Sequence, residues 1–155
     1  MKTGNKGLKL IEKFEGLILQ AYDDYNDKIV KPGQKVRGTL TIGYGHTTAA
    51  GPPKVYVGMK VKEDEADKIL AADLASVEIE VEHLVKVSLN QNQFDALVSF
   101  QFNTGGLRRA SILTCLNAKD YEGAAQGFLK WVRGNGKVLP GLVKRRNEEK
   151  ALFEA

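Results

Sequence analysis

Glu15 and Asp24, two carboxylates nine residues apart, are the side chains whose type and spacing could do chemistry in this 155-residue sequence. Hydrolysis of a glycosidic bond needs a carboxylic acid to protonate the leaving oxygen and a carboxylate across the bond to act as base or nucleophile. Charged residues make up 27% of the chain, so such a pair arises readily by chance, and spacing alone leaves both as solvated surface groups. Their settings differ, however. Leu8, Ile11, Phe14 and Ile18 recur at three- and four-residue spacing, which predicts a helix from Leu8 to Ala21 with one buried face. Glu15 lies at the edge of that face, towards the helix C-terminal end, where the backbone dipole disfavours an anion. Asp24, past the helix and entering a turn, is expected to be wetter and ionised.

The elements that must hold these groups can be read in order. Leu40, Ile42 and Tyr44 alternate with Thr39, Thr41, Gly43 and Gly45, the pattern of a half-buried strand with Thr41 on the side opposite Leu40 and Ile42. With Pro32 and the glycines at 33 and 38, this predicts a small antiparallel sheet over residues 25–47. Pro52 and Pro53 break the chain, Val55, Val57, Met59 and Val61 alternate, and a long helix starts near Glu63 with Glu63, Asp64 and Glu65 at its N-terminal end. Its apolar stripe of Ala66, Ile69, Leu70, Leu74, Val77 and Val81 includes Asp73, a buried-face carboxylate that requires a partner, for which His46 is the candidate. The remainder reads as helical, with Asn90 and Gln93 as a capping pair, Asp120 as a second cap, a last helix after Pro140, and breaks at Gly105-Gly106 and Gly134-Asn135-Gly136. The fold class is therefore α+β and mostly helical, one domain over 1–155, with a β-containing lobe and connecting helix at about 12–75 and a helical lobe formed by about 76–155 plus the N-terminal helix, the two around a cleft.

Composition narrows the function classes. The lone Cys115 excludes an internal disulfide, no Cys/His spacing suggests a metal, and the run Ile112, Leu113, Cys115, Leu116 reads it as a small buried hydrophobe. No signal peptide or membrane anchor is read in Met1–Lys9. A net charge of +4 suits an anionic partner, but the basic residues are scattered apart from Lys144, Arg145 and Arg146, so a nucleic-acid module is not expected.

Longer motifs carry more than the acidic pair does. Leu10–Gly16 (LIEKFEG), Ala21–Asp24 (AYDD) and Gly38–Thr47 (GTLTIGYGHT) closely resemble the phage-type lysozymes, glycoside hydrolase family 24. The resemblance continues through Gln93–Gly105 (QFDALVSFQFNTG), Gly136–Arg146 (GKVLPGLVKRR) and Glu149–Phe153 (EKALF), so it covers nearly the whole chain in order. It implies a lysozyme-like fold and cleavage, with inversion, of the β-1,4 bond between N-acetylmuramic acid and N-acetylglucosamine in peptidoglycan. Residue by residue it places the general acid on Glu15, the general base on Asp24 and the water-positioning hydroxyl on Thr41. This chain departs from the family in one place: sixteen residues separate Asp24 from Thr41 where about five are usual. The inserted stretch Tyr25–Arg37 is expected to extend the hairpin, and Asp23 and Asp27 flank Asp24, which is assigned by its spacing from Glu15.

The resemblance also pairs His46 with Asp73 structurally, offers Asn103 as a ligand of sugar acetamido or hydroxyl groups or as a helix cap, and offers Arg145 or Arg146 as a cation that reaches the catalytic carboxylate or is solvated. Arg145 is taken as the substrate-binding one. Trp131, among Phe128, Leu129 and Val132, is read as core rather than as a sugar platform. The expected profile is a monomeric endolysin with peptidoglycan as partner, no cofactor, no nucleic acid and no stable membrane insertion. It is made in the host cytoplasm and reaches the wall in the periplasm through a holin-type lesion. The rival readings are a lytic transglycosylase, a non-catalytic wall-binding module, and membrane disruption by the basic C-terminal segment.

Overall fold

Gly16 decides where the first helix stops. In the computed structural model, which describes residues 1–155, helix α1 spans Asn5–Glu15 and Gly16 follows with φ 71°, a left-handed conformation that glycine adopts without a Cβ clash. The expected continuation to Ala21 is thus corrected: Ile18–Asp23 form strand β1. Ile18 fits the three- and four-residue spacing of the helix, but it also fits a strand, and the glycine between settles the choice. At its other end α1 is capped from α3 (Gln91–Thr104), where the buried Asp95 carboxylate accepts from the N–H groups of Gly4 (2.9 Å) and Gly7 (3.1 Å).

By contact the chain forms two units, residues 15–75 and residues 1–14 with 76–155. The first unit holds a four-stranded sheet of order β2-β1-β3-β4, in which β2 is Lys28–Ile29, β3 is Leu40–Gly43 and β4 is His46–Thr47. The sheet starts at Ile18, earlier than the sequence pattern suggested. All pairings are antiparallel, with Tyr22 opposite both Ile29 and Thr41, and Asp23 opposite Lys28 and Leu40. Residues 59–61 run along β1 as well: Ala21 N–H donates to Met59 O and Val61 N–H to Leu19 O, each at 2.9 Å. Helix α2, Glu63–Leu84, begins where the acidic run predicted, and Ala66, Leu70, Leu74 and Val81 of its stripe are buried.

The second unit is helical. α3 starts with the expected capping box between Asn90 and Gln93 and ends at Gly105 with φ 61°. α4 is Ser111–Asn117, α5 is Tyr121–Gly127 capped by the Asp120 carboxylate, and α6 is Pro140–Glu154. Phe94, Leu97, Phe100, Ile112, Leu116 and Phe128 are buried, and Phe100 makes edge-on ring contacts with Phe128 (5.5 Å) and Trp131 (5.3 Å). Each buried large side chain of this kind contributes on the order of 1.5–3 kcal/mol. Cys115 departs from its expected burial and is only half-buried, because Ile112 and Leu116 take the inward face of α4. The Gly134-Asn135-Gly136 break is a small hairpin joining β5 (Arg133–Gly134) to β6 (Lys137–Val138).

Candidate active site

The three residues singled out for chemistry all belong to the 15–75 unit. Glu15 is the last residue of α1 and is half-buried. Its carboxylate lies against Gly45, in the turn between β3 and β4: a Cβ at Gly45 would sit 3.1 Å from Glu15 Oε2. Gly45 also has φ 73°, so the turn needs glycine for its backbone as well as for this close approach.

Asp24 and Thr41 meet through the backbone of one residue, Thr39. Thr39 N–H donates to Asp24 Oδ1 (2.6 Å), and Thr39 O accepts from both Thr41 Oγ1 (2.8 Å) and the Asp24 N–H (3.2 Å). The register explains the placement. Tyr22 stands opposite Thr41 near the end of the ladder, the strand ends at Asp23, and Asp24 opens the turn that follows, with both carboxylates beside Gly38. Asp24 is exposed and Thr41 buried.

Asp23 has a different task. Its carboxylate is buried and accepts three backbone N–H groups, from Arg37 (2.7 Å), Gly38 (2.9 Å) and Tyr25 (3.0 Å). These bonds, that from Arg37 first, hold its carboxyl below the usual carboxylate range. Because they tie residue 25 to residues 37 and 38, Asp23 closes the root of the inserted hairpin directly beside the Thr39 peptide. Gly38 is the matching small residue: a Cβ there would fall 2.1 Å from Asp24 Oδ1. Asp27 lies in the exposed turn beyond, with φ 58°.

Tyr22 was not among the residues the sequence marked. It is buried, which raises its phenol above the ordinary value, and the negative charges of Asp27, Glu15 and Asp24 add to the rise. The phenol therefore stays protonated within electrostatic reach of both Glu15 and Asp24. Only its place in the alternation after Ala21 could have marked it.

The expected His46–Asp73 contact is present. His46 Nδ1 lies 2.8 and 3.0 Å from the two Asp73 oxygens, and Nε2 lies 2.8 Å from the Pro53 carbonyl. A carbonyl only accepts, so Nε2 carries a proton and donates to it, and Nδ1 faces the carboxylate. Burial pushes the Asp73 carboxyl up, and the hydrogen bond and charge of His46 oppose that push. With both ring nitrogens engaged and the ring fully buried, His46 fixes structure around the β3–β4 turn.

Asn103 and Arg145 belong to the other unit. Asn103 is exposed near the end of α3, and its Oδ1 accepts a short hydrogen bond from Arg146 Nη2. Arg145 is buried and lies over the Phe14 ring; its Nη2 donates to Ser99 O and Oγ, and its Nε to Glu149 Oε2, all at 3.3 Å. Arg146 is fully buried, with Nη1 3.2 Å from Glu149 Oε1, while Ser99 Oγ donates to Glu149 Oε2 at 2.5 Å. Burial drives the Glu149 carboxyl up, against the pull of Arg146, Ser99 and Arg145. Neither arginine is solvated; together with Glu149 they tie α6 to α3. Trp131 is half-buried, its ring packed on Gly106 and Phe100 with the Arg109 guanidinium over it. No group of three His, Cys, Asp or Glu side chains is placed to hold a metal, and no helix is long and apolar enough to cross a membrane.

A helix that ends at Glu15 and a small antiparallel sheet that carries Thr41 beside Asp24 are the setting in which the class of the protein is found from its sequence. The sequence matches the phage lysozyme family over residues 12–149, and the chain belongs to that family. The endolysin of Salmonella phage P22 is 37% identical over 155 residues, covering 99% of this chain and 98% of the relative. The endolysin of Acyrthosiphon pisum secondary endosymbiont phage 1 is 39% identical over 161 residues, covering 100% and 99%. That of Bacillus phage B103 is 41% identical over 155 residues, and there the chain spans only 54% of the longer relative. Among solved structures, a P22 lysozyme variant superposes with TM-score 0.84 at 35% identity, covering 100% of this chain and 99% of that one. The muramidase domain of SpmX from Asticcacaulis excentricus does so with 0.82 at 36% identity, covering 99% and 98%.

Proposed function

We propose that this chain is a muramidase that hydrolyses the β-1,4 bond between N-acetylmuramic acid and N-acetylglucosamine with inversion, and that it serves host lysis. The observation that carries the reading is the Thr39 backbone, whose N–H bonds Asp24 and whose carbonyl bonds Thr41, in the unit that also holds Glu15. The Thr41 hydroxyl gives its proton to Thr39 O, so its oxygen is left to accept. A water seated there gives one hydrogen to Thr41 Oγ1 and the other to Asp24. Its lone pair attacks the anomeric carbon as that proton moves to Asp24, and protonated Glu15 delivers a proton to the leaving glycosidic oxygen. The exposed Asn103 amide is suited to bind sugar acetamido or hydroxyl groups, with Arg145 as the second substrate-binding residue of this reading. The relatives named endolysin support action on the cell wall. Synthesis in a host cytoplasm, work as a monomer and release through a holin-type lesion complete the reading.

The test is clearing of outer-membrane-stripped Gram-negative cells by wild type and Glu15→Gln, with the released fragments analysed by mass spectrometry. Clearing by wild type alone, with hydrated reducing ends, is the expected result. Clearing by both proteins moves the activity away from Glu15. Anhydro-sugar ends identify a lytic transglycosylase, and wall binding without clearing identifies a binding module.

A further inference from the structure

Residues 25–37 contain four cations, Lys28, Lys31, Lys35 and Arg37, against a single carboxylate, Asp27. None of the three lysines enters an ion pair, and all three are exposed. Lys28 and Lys35, with Asn26, Ile29 and Gln34, line a concavity of about 290 Å³. Asp23 also borders it, but its oxygens are occupied by three backbone N–H groups. Beside the concavity Tyr25 is 66% exposed, with the Arg37 guanidinium 5.8 Å from its ring centroid.

The hairpin is held rather than loose. Asp23 closes its root, Lys28 and Ile29 pair with β1, Val30 N–H donates to Ala21 O, and Lys31 and Gln34 bond each other across the turn. A preordered arm does not lose affinity to its own ordering on binding. Lys28 stands opposite Asp23 in the ladder, one residue along the chain from Asp24, so the arm adjoins the proposed base.

Building on the muramidase reading, we infer that the hairpin is a substrate-reading arm whose lysines bind the carboxylates of the wall's stem peptides. The amino-sugar backbone of such a strand offers hydroxyl and acetamido groups, and its negative charge is carried by the stems, through D-glutamate, diaminopimelate and terminal D-alanine. Lysine ammoniums on flexible stems suit carboxylates presented in more than one pose.

The test uses Lys28→Gln/Lys35→Gln and Lys28→Arg/Lys35→Arg, assayed on solubilised glycan strands with stems intact and on the same strands with the stem carboxylates converted to neutral amides by carbodiimide and ammonia. The glutamine pair is expected to raise KM roughly five- to tenfold on strands with free stem carboxylates, with kcat unchanged, no rise on the amidated strands, and recovery in the arginine pair. An equal rise on both substrates, or none on either, overturns the arm. Independently, the tetrapeptide L-Ala-γ-D-Glu-diaminopimelate-D-Ala is titrated into Glu15→Gln protein and followed by amide NMR. Shifts confined to residues 26–35 and lost in the added glutamine pair are expected; no shift there overturns the inference. Shifts without cleavage of any strand by wild type overturn the muramidase reading and leave peptide binding standing.

Discussion

Replacing Glu149 by alanine tests how α6 is held to α3. The substitution removes the acceptor of Ser99 Oγ and of Arg145 Nε and the counter-charge 3.2 Å from Arg146 Nη1. Arg146, 0% exposed, keeps Asn103 as an acceptor, and it faces Arg145 with no carboxylate between them. Breaking a buried ion pair from one side costs about 3–5 kcal/mol, because the remaining charge stays desolvated. A domain of this size has about 5–15 kcal/mol in total. With about 2–4 °C of Tm for each kcal/mol, the expected loss is roughly 6–20 °C. Glu149→Gln keeps the shape and an oxygen for Ser99 and should cost less, about 1.5–3 kcal/mol. Arg146→Met/Glu149→Met removes both charges and should recover most of the alanine loss. Urea unfolding followed by circular dichroism gives the free energies. If Glu149→Ala costs under about 1 kcal/mol, or if the double variant is no better than it, the cluster is not a coupled buried unit and the reasoning fails.

Other substitutions probe the 15–75 unit. Asp23→Asn should lower kcat by unpinning the Thr39 peptide, measurable on solubilised strands. Because the Asp23 carboxyl is held below its ordinary range, the stability it adds is present above the unfolded value of about pH 3.9 and fades as pH falls through the lower folded value. The Tm gap between wild type and Asp23→Asn should therefore narrow in acid, and a gap that widens there contradicts the clamp. Gly45→Ala meets both an unfavourable φ of 73° and the Glu15 carboxylate, so activity should fall much further than stability in paired kinetic and thermal assays. His46→Phe removes the ring's bonds to Asp73 and to the Pro53 carbonyl and should destabilise by about 1–3 kcal/mol, while any remaining fold keeps its pH–rate profile. A changed profile would place His46 in the chemistry.

Much of this was legible because local rules suffice for it. The Asn90–Gln93 box, the Asp120 cap, the acidic start at Glu63 and Pro140 each announce a helix end through groups within a few residues. The His46–Asp73 contact was legible for a different reason: a carboxylate in an apolar stripe must find a partner, and the sequence holds few. What escaped depends on tertiary partners. Ile18 satisfies helix and strand spacing alike, and Gly16 separates the two only through its backbone conformation. Arg145 and Arg146 read equally as a cation near the catalytic carboxylate or as solvated charges, and their enclosure by Glu149 and Ser99 comes only with the packing of α6 on α3. Asp23 and Asp24 are identical in type and adjacent in sequence. The backbone N–H groups each one meets give Asp23 to the hairpin root and Asp24 to Thr39.

The clamp at Asp23 makes everything beyond residues 25 and 37 exchangeable. Chain closure grows slowly with length, about 0.6 kcal/mol for each doubling of a loop, so arms of other lengths and charges can be grafted onto the same root at small cost in stability. The carboxylate, the Gly38 approach and the Thr39 peptide must then be kept. Under those constraints the hairpin is an interchangeable cartridge, and, on the reading-arm inference, exchanging it is expected to retarget the protein from one wall chemistry to another with Glu15, Asp24 and Thr41 left in place.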